Sequence, residues 1–384
     1  MKKVNKILFI ASIENHFLAF HIPFIEYLQN KGYELHVATK LGKRKKELED
    51  KGIICHNIDF TRSINIFAAI KSLKQLINLM KKIKFSLVHV HTPMAAFLGR
   101  IGARITSTKP VLYTAHGFHF YKGAPWYYWL FIFPMEYLAG KITDGLLVIN
   151  KEDYFNAQKL GFKAEENLYL VHGVGVDLDD IKRKSKSNSG IKSEFNIPKE
   201  GIIFSCIAGF TPNKNHIFLL NAWHKIVSKI ANTYLLLIGD GVILDKIKKH
   251  VYAKKIQRVY FTGYRKDIPF LISHSEAIIL VSKREGLPRS IMEAMAIGKP
   301  VIASNIRGNR DLVENNKNGL LIELGDIDGL SSSIEKLIID KDKRIAMGKE
   351  SIKMIQEYSI EKVLKEMSKI YDYYLQDKSI KKNR

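Results

Sequence analysis

Short apolar, β-branched runs alternate with helix-length segments from one end of the chain to the other. The first series predicts strands at Lys6–Ala11, Glu34–Thr39, Ile53–Ile58, Leu87–His91, Val111–Thr114 and Gly145–Ile149. A second predicts strands at Ile202–Ala208, Tyr234–Ile238, Arg258–Phe261, Ala277–Val281, Pro300–Ala303 and Gly319–Ile322. Strands spaced by helical segments argue for parallel sheets with crossover helices, and two series argue for two doubly wound, Rossmann-like α/β domains. Between them, Asp180–Gly190 is polar, charged and aperiodic, and reads as a linker. The expected division is 1–180, a linker over 181–200, and 201–357. Ile360, Val363, Leu364, Met367, Ile370, Tyr371 and Tyr374 share one face of an amphipathic helix over Ile360–Leu375. Residues 376–384 are polar and basic and read as a frayed end.

Composition narrows the class. A chain of 384 residues with 46% hydrophobic and 26% charged content suits two globular domains. Cys55 and Cys206 lie far apart beside apolar runs and suggest a reduced, cytoplasmic protein rather than a disulfide framework. The apolar start stops at Glu14 without a cleavage site, so it reads as a first buried strand rather than a signal peptide. No uncharged stretch reaches the ~18 residues needed to span a membrane. The net charge of +23, from 61 Lys+Arg against 38 Asp+Glu, would suit nucleic acid, an anionic membrane surface or anionic small substrates. Zinc-finger spacing, an RNA-recognition signature and a short basic recognition helix are all missing, so no nucleic-acid partner is expected. The segment 64–85 places Ile66, Phe67, Ile70, Leu73, Ile77 and Met80 among five lysines. It reads as a surface helix burying one face, with a basic patch at an anionic membrane as the sharper alternative.

Candidate chemistry gathers just after predicted strands, where doubly wound sheets bind ligands. In Glu285-Gly-Leu-Pro-Arg-Ser-Ile-Met-Glu293 two glutamates bracket a Gly286-Leu287-Pro288 turn, and the second lies on a small-residue helix that stops at Gly298-Lys299-Pro300. Continuous helix would set the two carboxylates roughly 12 Å apart and about 80° out of line. That is too far to flank one glycosidic bond, which needs roughly 5–9.5 Å. Such a pair can grip two parts of an extended ligand whose anionic middle faces amides of the turn. A sugar nucleotide has that layout. Gly209-Phe-Thr-Pro-Asn-Lys214 offers a glycine turn and one lysine at a helix start, which suits a diphosphate. Gly239-Asp240-Gly241 and Gly263-Tyr264-Arg265 follow the next two strands. In the first half, His116-Gly117 follows a strand, with His119 close behind; the aromatic run Trp126–Phe133 reads as helix core rather than a lipid contact.

The paired-glutamate segment resembles the signature of retaining family-4 glycosyltransferases with the GT-B fold, and Arg307-Gly-Asn-Arg310-Asp311 resembles the capsular and exopolysaccharide branch. The resemblance implies that the two domains face a cleft, with the terminal helix (358–384) crossing back to the N-terminal domain. It implies donor contacts from Gly209, Lys214, Gly239, Tyr264, Gly286, Leu287, Pro288, Arg289 and Glu293, with Glu293 on the ribose. Catalytic roles fall to His116 and Glu285, which would fix the donor sugar, and acceptor-side positions to His16 and His119. The family's diphosphate arginine is absent, since Gly209 stands in its place; Arg284, Arg289 or Arg307 could replace it. Arg310 and Asp311 suit a helix cap as well as a ligand. The loop Ser12–His21 departs from the family's Gly-Gly loop. The expected partners are a nucleotide-sugar donor, probed first as a UDP-sugar, a lipid-linked glycan acceptor and a peripheral membrane surface. Asp326-Ile-Asp328 sits in a helix-start turn, so no metal or other cofactor is expected. Two rivals stand beside this reading: a UDP-sugar 2-epimerase-like isomerase on the same fold, and a non-catalytic basic binding protein.

Overall fold

A computed structural model describes residues 5–61, 65–186 and 190–376. Ile64 and the end of the frayed segment, 377–384, lie outside them. The chain divides into two compact units, Met1–Gly175 with Ile360–Arg384, and Val176–Ser359.

The first unit holds β1 (Lys6–Ile13), β2 (Glu34–Lys40), β3 (Ile54–Asn57), β4 (Leu87–His91), β5 (Val111–Ala115), β6 (Gly145–Val148) and β7 (Leu168–Leu170). They pair in parallel in the order β3-β2-β1-β4-β5-β6-β7. The second unit holds β8 (Ile202–Ile207), β9 (Thr233–Ile238), β10 (Val259–Gly263), β11 (Ala277–Leu280), β12 (Val301–Ser304) and β13 (Gly319–Ile322). Their order is β10-β9-β8-β11-β12-β13, again all parallel. All twelve strands expected from the sequence form, with ends shifted by a residue or two. The additional strand, β7, is three residues long and pairs with β6 at the end of the sheet, too short to give a periodic signal. Central strands such as β4, β5 and β9 are buried along their whole length, which is why they read as unbroken apolar runs.

Helix Ile360–Leu375 belongs to the first unit, as the resemblance implied. It buries Val363, Met367, Ile370 and Tyr371. The Tyr371 hydroxyl lies 2.9 Å from His89 Nδ1, Lys31 pairs with Asp372 at 2.5 Å, and the Tyr374 hydroxyl donates to the Asp144 carbonyl at 2.8 Å. Polar anchors therefore flank an apolar seam and set the helix's register on the domain.

Three expectations are corrected. The segment expected as a linker is helical over Leu178–Ser185 and belongs to the second unit. Asp177 caps it by accepting from the Asp180 amide, Leu178 and Ile181 enter the core, and Lys182, Arg183 and Lys184 complement the C-terminal dipole. The aromatic run is not core throughout. One π-helical turn, Tyr128–Ile132, leads into helix Phe133–Gly140. Trp129, Ile132 and Phe133 pack inward, whereas Trp126 is 72% exposed and Leu130 and Phe131 also face outward. Helix Ile66–Lys82 buries Ser72, Leu76 and Met80, but its first turns leave Ile66 and Ile70 exposed and Phe67 81% exposed. Its apolar stripe outruns the core beneath it.

Candidate functional site

In the second unit five motif loops follow neighbouring strands of one sheet. Reading across it, they follow β10, β9, β8, β11 and β12. Strand order reverses between β8 and β11, the topological switch point at which open α/β sheets take their ligands. The loops are tied to each other there. Phe210 after β8 donates its amide to Asp240 O at 2.9 Å. Lys283 after β11 donates its amide to Asn213 O at 2.8 Å, and Asn213 Nδ2 returns a bond to Arg284 O at 2.9 Å. Gly239 has φ +147°, and a Cβ there would stand 2.3 Å from Ala208 O. Gly308, after β12, has φ +79° and would place a Cβ 2.4 Å from Gly286 O. Both positions therefore demand glycine, for backbone shape and for close approach.

Charged groups stand on the same loops and on the helix that follows them. Pro212–Lys214 is a single 3₁₀ turn, and Asn215 in the left-handed region turns the chain into helix His216–Val227. Lys214 Nζ meets Glu285 Oε1 at 2.5 Å. Glu285 precedes, rather than begins, the helix Arg289–Ala296, so the straight-helix separation of the two glutamates does not apply. Pro288 starts that helix without a side-chain cap. Glu293 pairs with Arg289 Nε at 2.9 Å. Burial pushes the Glu293 carboxyl up, against the opposing pull of Arg289. Arg307, itself buried, donates Nε to Glu285 O at 3.2 Å and so braces the glutamate turn from behind. Leu287 packs on the core. Tyr264 stands 74% exposed past β10. Asp311 accepts from the Gly308 amide at 3.1 Å and so caps that helix start. Asp326 caps its helix and Asp328 pairs with Lys225 at 2.6 Å, as a helix-start turn requires.

In the first unit the switch point lies between β1 and β4. The loop after β1 folds into helices Glu14–Phe20 and Ile22–Asn30. Glu14 secures it by accepting the amides of Gly42 and Arg44 at 2.7 and 2.8 Å. Ser12 Oγ and Thr92 Oγ1, 2.8 Å apart, join the ends of β1 and β4. His16 and His116 rings lie edge to face at 4.9 Å between centroids. The His116 loop is held from below. Phe118 donates its amide to buried Asp153 at 3.2 Å, Asn156 Nδ2 donates to Phe120 O at 3.3 Å, and Lys122 donates its amide to Glu152 at 2.6 Å. His119 points elsewhere, into a cavity of about 430 Å³ lined by Met94, Phe97, Phe118, Tyr128, Ile132 and Glu136 among others. A buried pair, Arg100–Glu136 at 2.8 Å with Arg100 over the Tyr113 ring, supports its wall. The two acceptor-side candidates thus separate: His16 joins His116, and His119 lines the cavity. Sequence reasoning passed over His21 and His91, which stand beside His16 and His116. The His16–His21 spacing and the His89-Val90-His91 repeat were the available signals.

Both units are thus doubly wound α/β domains whose loops gather at a topological switch point, the place where such sheets take their ligands. Residues 188–354 match the family described as glycosyl transferases group 1, and residues 6–144 match glycosyl transferase 4-like. The chain is 32% identical over 384 residues to the Bacillus subtilis protein described as "Putative glycosyltransferase EpsD", covering 97% of each chain. It is 29% identical to an Escherichia coli UDP-Gal:α-D-GlcNAc-diphosphoundecaprenol α-1,3-galactosyltransferase, covering 91% of each. HepE from Anabaena, solved with UDP and glucose, superposes with a TM-score of 0.78 at 18% identity, over 96% of this chain and all of that one. The chain belongs to the family-4 glycosyltransferases with the GT-B fold.

The histidines make this fold sensitive to acid. Burial holds His116, His216 and His56 down at about 4 and His89 at about 3, with neighbouring histidines adding for His89 and His56, and Lys214 for His216. The unfolded chain binds these protons near pH 6.5, so it takes up protons that the fold refuses. Their stabilisation is complete above about pH 6.5 and is lost as pH falls towards 4. Urea midpoints should therefore drop steadily between pH 7 and 4.5, by roughly 1.4 kcal/mol per pH unit for each proton of difference. A flat profile over that window would show that these rings are not buried neutral.

Proposed function

We propose that this glycosyltransferase moves a hexose from a UDP-sugar to a lipid-linked glycan acceptor during surface-polysaccharide assembly, with retention at the anomeric carbon and without a catalytic metal. The observation that carries it is the Lys214–Glu285 pair on loops joined at one switch point, with the Arg289–Glu293 pair on the helix that follows. Relatives named for capsular synthesis and for diphosphoundecaprenol acceptors support the acceptor class. Solved neighbours holding UDP support the donor.

Each group has a task in this scheme. The turn amides after Glu285 and the Lys214 ammonium meet charge growing on the departing diphosphate, which removes the need for a cation there. Glu293 holds the ribose hydroxyls, positioned by Arg289. Glu285 and His116 fix the sugar hydroxyls. Glu285 and Glu293 serve different parts of the donor, which leaves no nucleophile pair for a double displacement. Transfer then proceeds on one face: the leaving phosphate oxygen takes the acceptor's proton while an oxocarbenium-like sugar is held in position. The released products are UDP and the extended glycan.

The membrane side of the proposal rests on the +23 charge and on the exposed apolar residues Trp126, Leu130, Phe131, Ile66 and Phe67. Among the described residues no helix is long and apolar enough to cross a membrane. A surface of that composition suits interfacial attachment.

Three measurements test this. Removing the ribose contact in Glu293→Ala costs about 1.5–3 kcal/mol per charge-assisted bond, so UDP should bind about ten- to a hundredfold more weakly by calorimetry. Unchanged UDP affinity in a folded variant would remove Glu293 from the donor site. NMR of the product made from an α-linked donor should show an α linkage; a β linkage would mean inversion. Sedimentation with anionic vesicles should be strong at low salt and fall steeply as salt rises, and Phe67→Ser with Phe131→Ser should weaken it further. Failure to sediment at low salt would end the membrane assignment.

A further inference from the structure

The loops at the first unit's switch point carry four imidazoles to one place. His16 and His21 come from the segment after β1, His91 is the last residue of β4, and His116 follows β5. One ring nitrogen from each lies within 4.8 Å of all the others. His21 is 2% exposed and His91 is fully buried. Both ring nitrogens of His91, Nδ1 of His21 and Nε2 of His116 are buried without a hydrogen-bond partner. His16 Nε2 and His21 Nε2 face each other at 3.1 Å. His89 is close, with its ring 4.1 Å from that of His91, yet both its nitrogens are engaged by Tyr371 and Thr114. It is a neighbour and not a member.

Unpaired buried polar atoms are costly, and four of them on three rings of one cluster call for a partner. Aromatic packing explains part of the arrangement, since Phe9 stacks on His91 at 5.8 Å, but it satisfies none of the nitrogens. An anion would need protonated rings. Four imidazolium ions within 4.8 Å of one another in a buried place would repel each other, so neutral rings are the form this arrangement tolerates. Neutral imidazole is a metal ligand.

We propose that His16, His21, His91 and His116 bind one divalent transition-metal ion of the zinc type. An all-imidazole set favours Zn²⁺, Cu²⁺, Ni²⁺ or Co²⁺ over Mg²⁺, Ca²⁺ or Mn²⁺, which prefer oxygen. In a tetrahedral site with zinc–nitrogen bonds of about 2.0–2.1 Å, ligand atoms stand about 3.4 Å apart. The rings must therefore close in by roughly 1.4 Å at the widest pair, from 4.8 Å. The ion takes no part in the transfer chemistry. It would occupy a nitrogen of His116, and the consequence, slower transfer when loaded, rests on the role proposed above for His116. Binding itself does not.

The test uses the full-length protein, stripped with a chelator and titrated with Co²⁺ in the absence of donor. One equivalent should produce the intense visible absorption of four-coordinate cobalt, displaced by one equivalent of Zn²⁺. His91→Gln and His21→Gln should each abolish that band, whereas His56→Gln, at the separate stacked His36–His56 pair, should leave it intact. A weak six-coordinate spectrum, or a band unmoved by His91→Gln, overturns the proposal and leaves the cluster to packing or internal water. If the variants fail to fold, X-ray absorption of the zinc-loaded wild type decides: four imidazole scatterers support it, and fewer than three overturn it.

Discussion

Parallel pairing makes every strand of a sheet end at the same edge, and the functional architecture of this protein depends on that constraint. Each crossover loop is delivered to one side, so residues far apart in sequence become neighbours without any local instruction. In the second sheet this sets Gly209–Lys214, Gly239, Tyr264, Glu285 and Gly308 along one edge. In the first it sets His16, His91 and His116 together. The reversal of strand order at β8/β11 and at β1/β4 opens a crevice at the point where those loops part. Apolar strands supply the energy for this arrangement, because their burial on both faces stabilises the sheet while the loops carry polar groups that would otherwise weaken it.

The polar groups at the two switch points are handled differently. At the first, imidazoles are placed in a dry environment and held neutral, which leaves their lone pairs available. At the second, a lysine and two glutamates are paired with each other or with an arginine, which keeps charges tolerable in partly buried turns. Any anion drawn to Lys214 would compete with Glu285 for that ammonium, while Glu285 stays anchored through its backbone by Arg307. The switch from an internal pair to a ligand pair costs less than exposing a bare charge, since one ionic partner replaces another. The glycine at 308 lets the β12 loop close against the glutamate turn, so even the backbone of this region is shaped by loops from two different strands.

The alternation of apolar runs and helical segments determined the strands, their parallel sense and the two-domain organisation, because burial on both faces leaves a signature that needs no tertiary context. The amphipathic face of Ile360–Leu375 was equally legible, and so were the glycine turns and the paired glutamates. Tertiary structure alone decided the rest. The segment after Asp177 became a capped helix because Leu178 and Ile181 found a core, although two apolar residues in eight make no periodic pattern. The aromatic run divided into inward and outward faces because only Trp129, Ile132 and Phe133 had a partner surface. Ile66 and Phe67 were left bare for the opposite reason: their helix extends past what it packs on. The spacing of His21 from His16 and the His89-Val90-His91 repeat do not by themselves name a site, and His21 and His91 joined His16 and His116 because strand order put β1 beside β4 and β4 beside β5. Periodicity reports how each segment meets a core, but which loops share an edge is set by the order in which strands pair, and that order is a property of the whole fold.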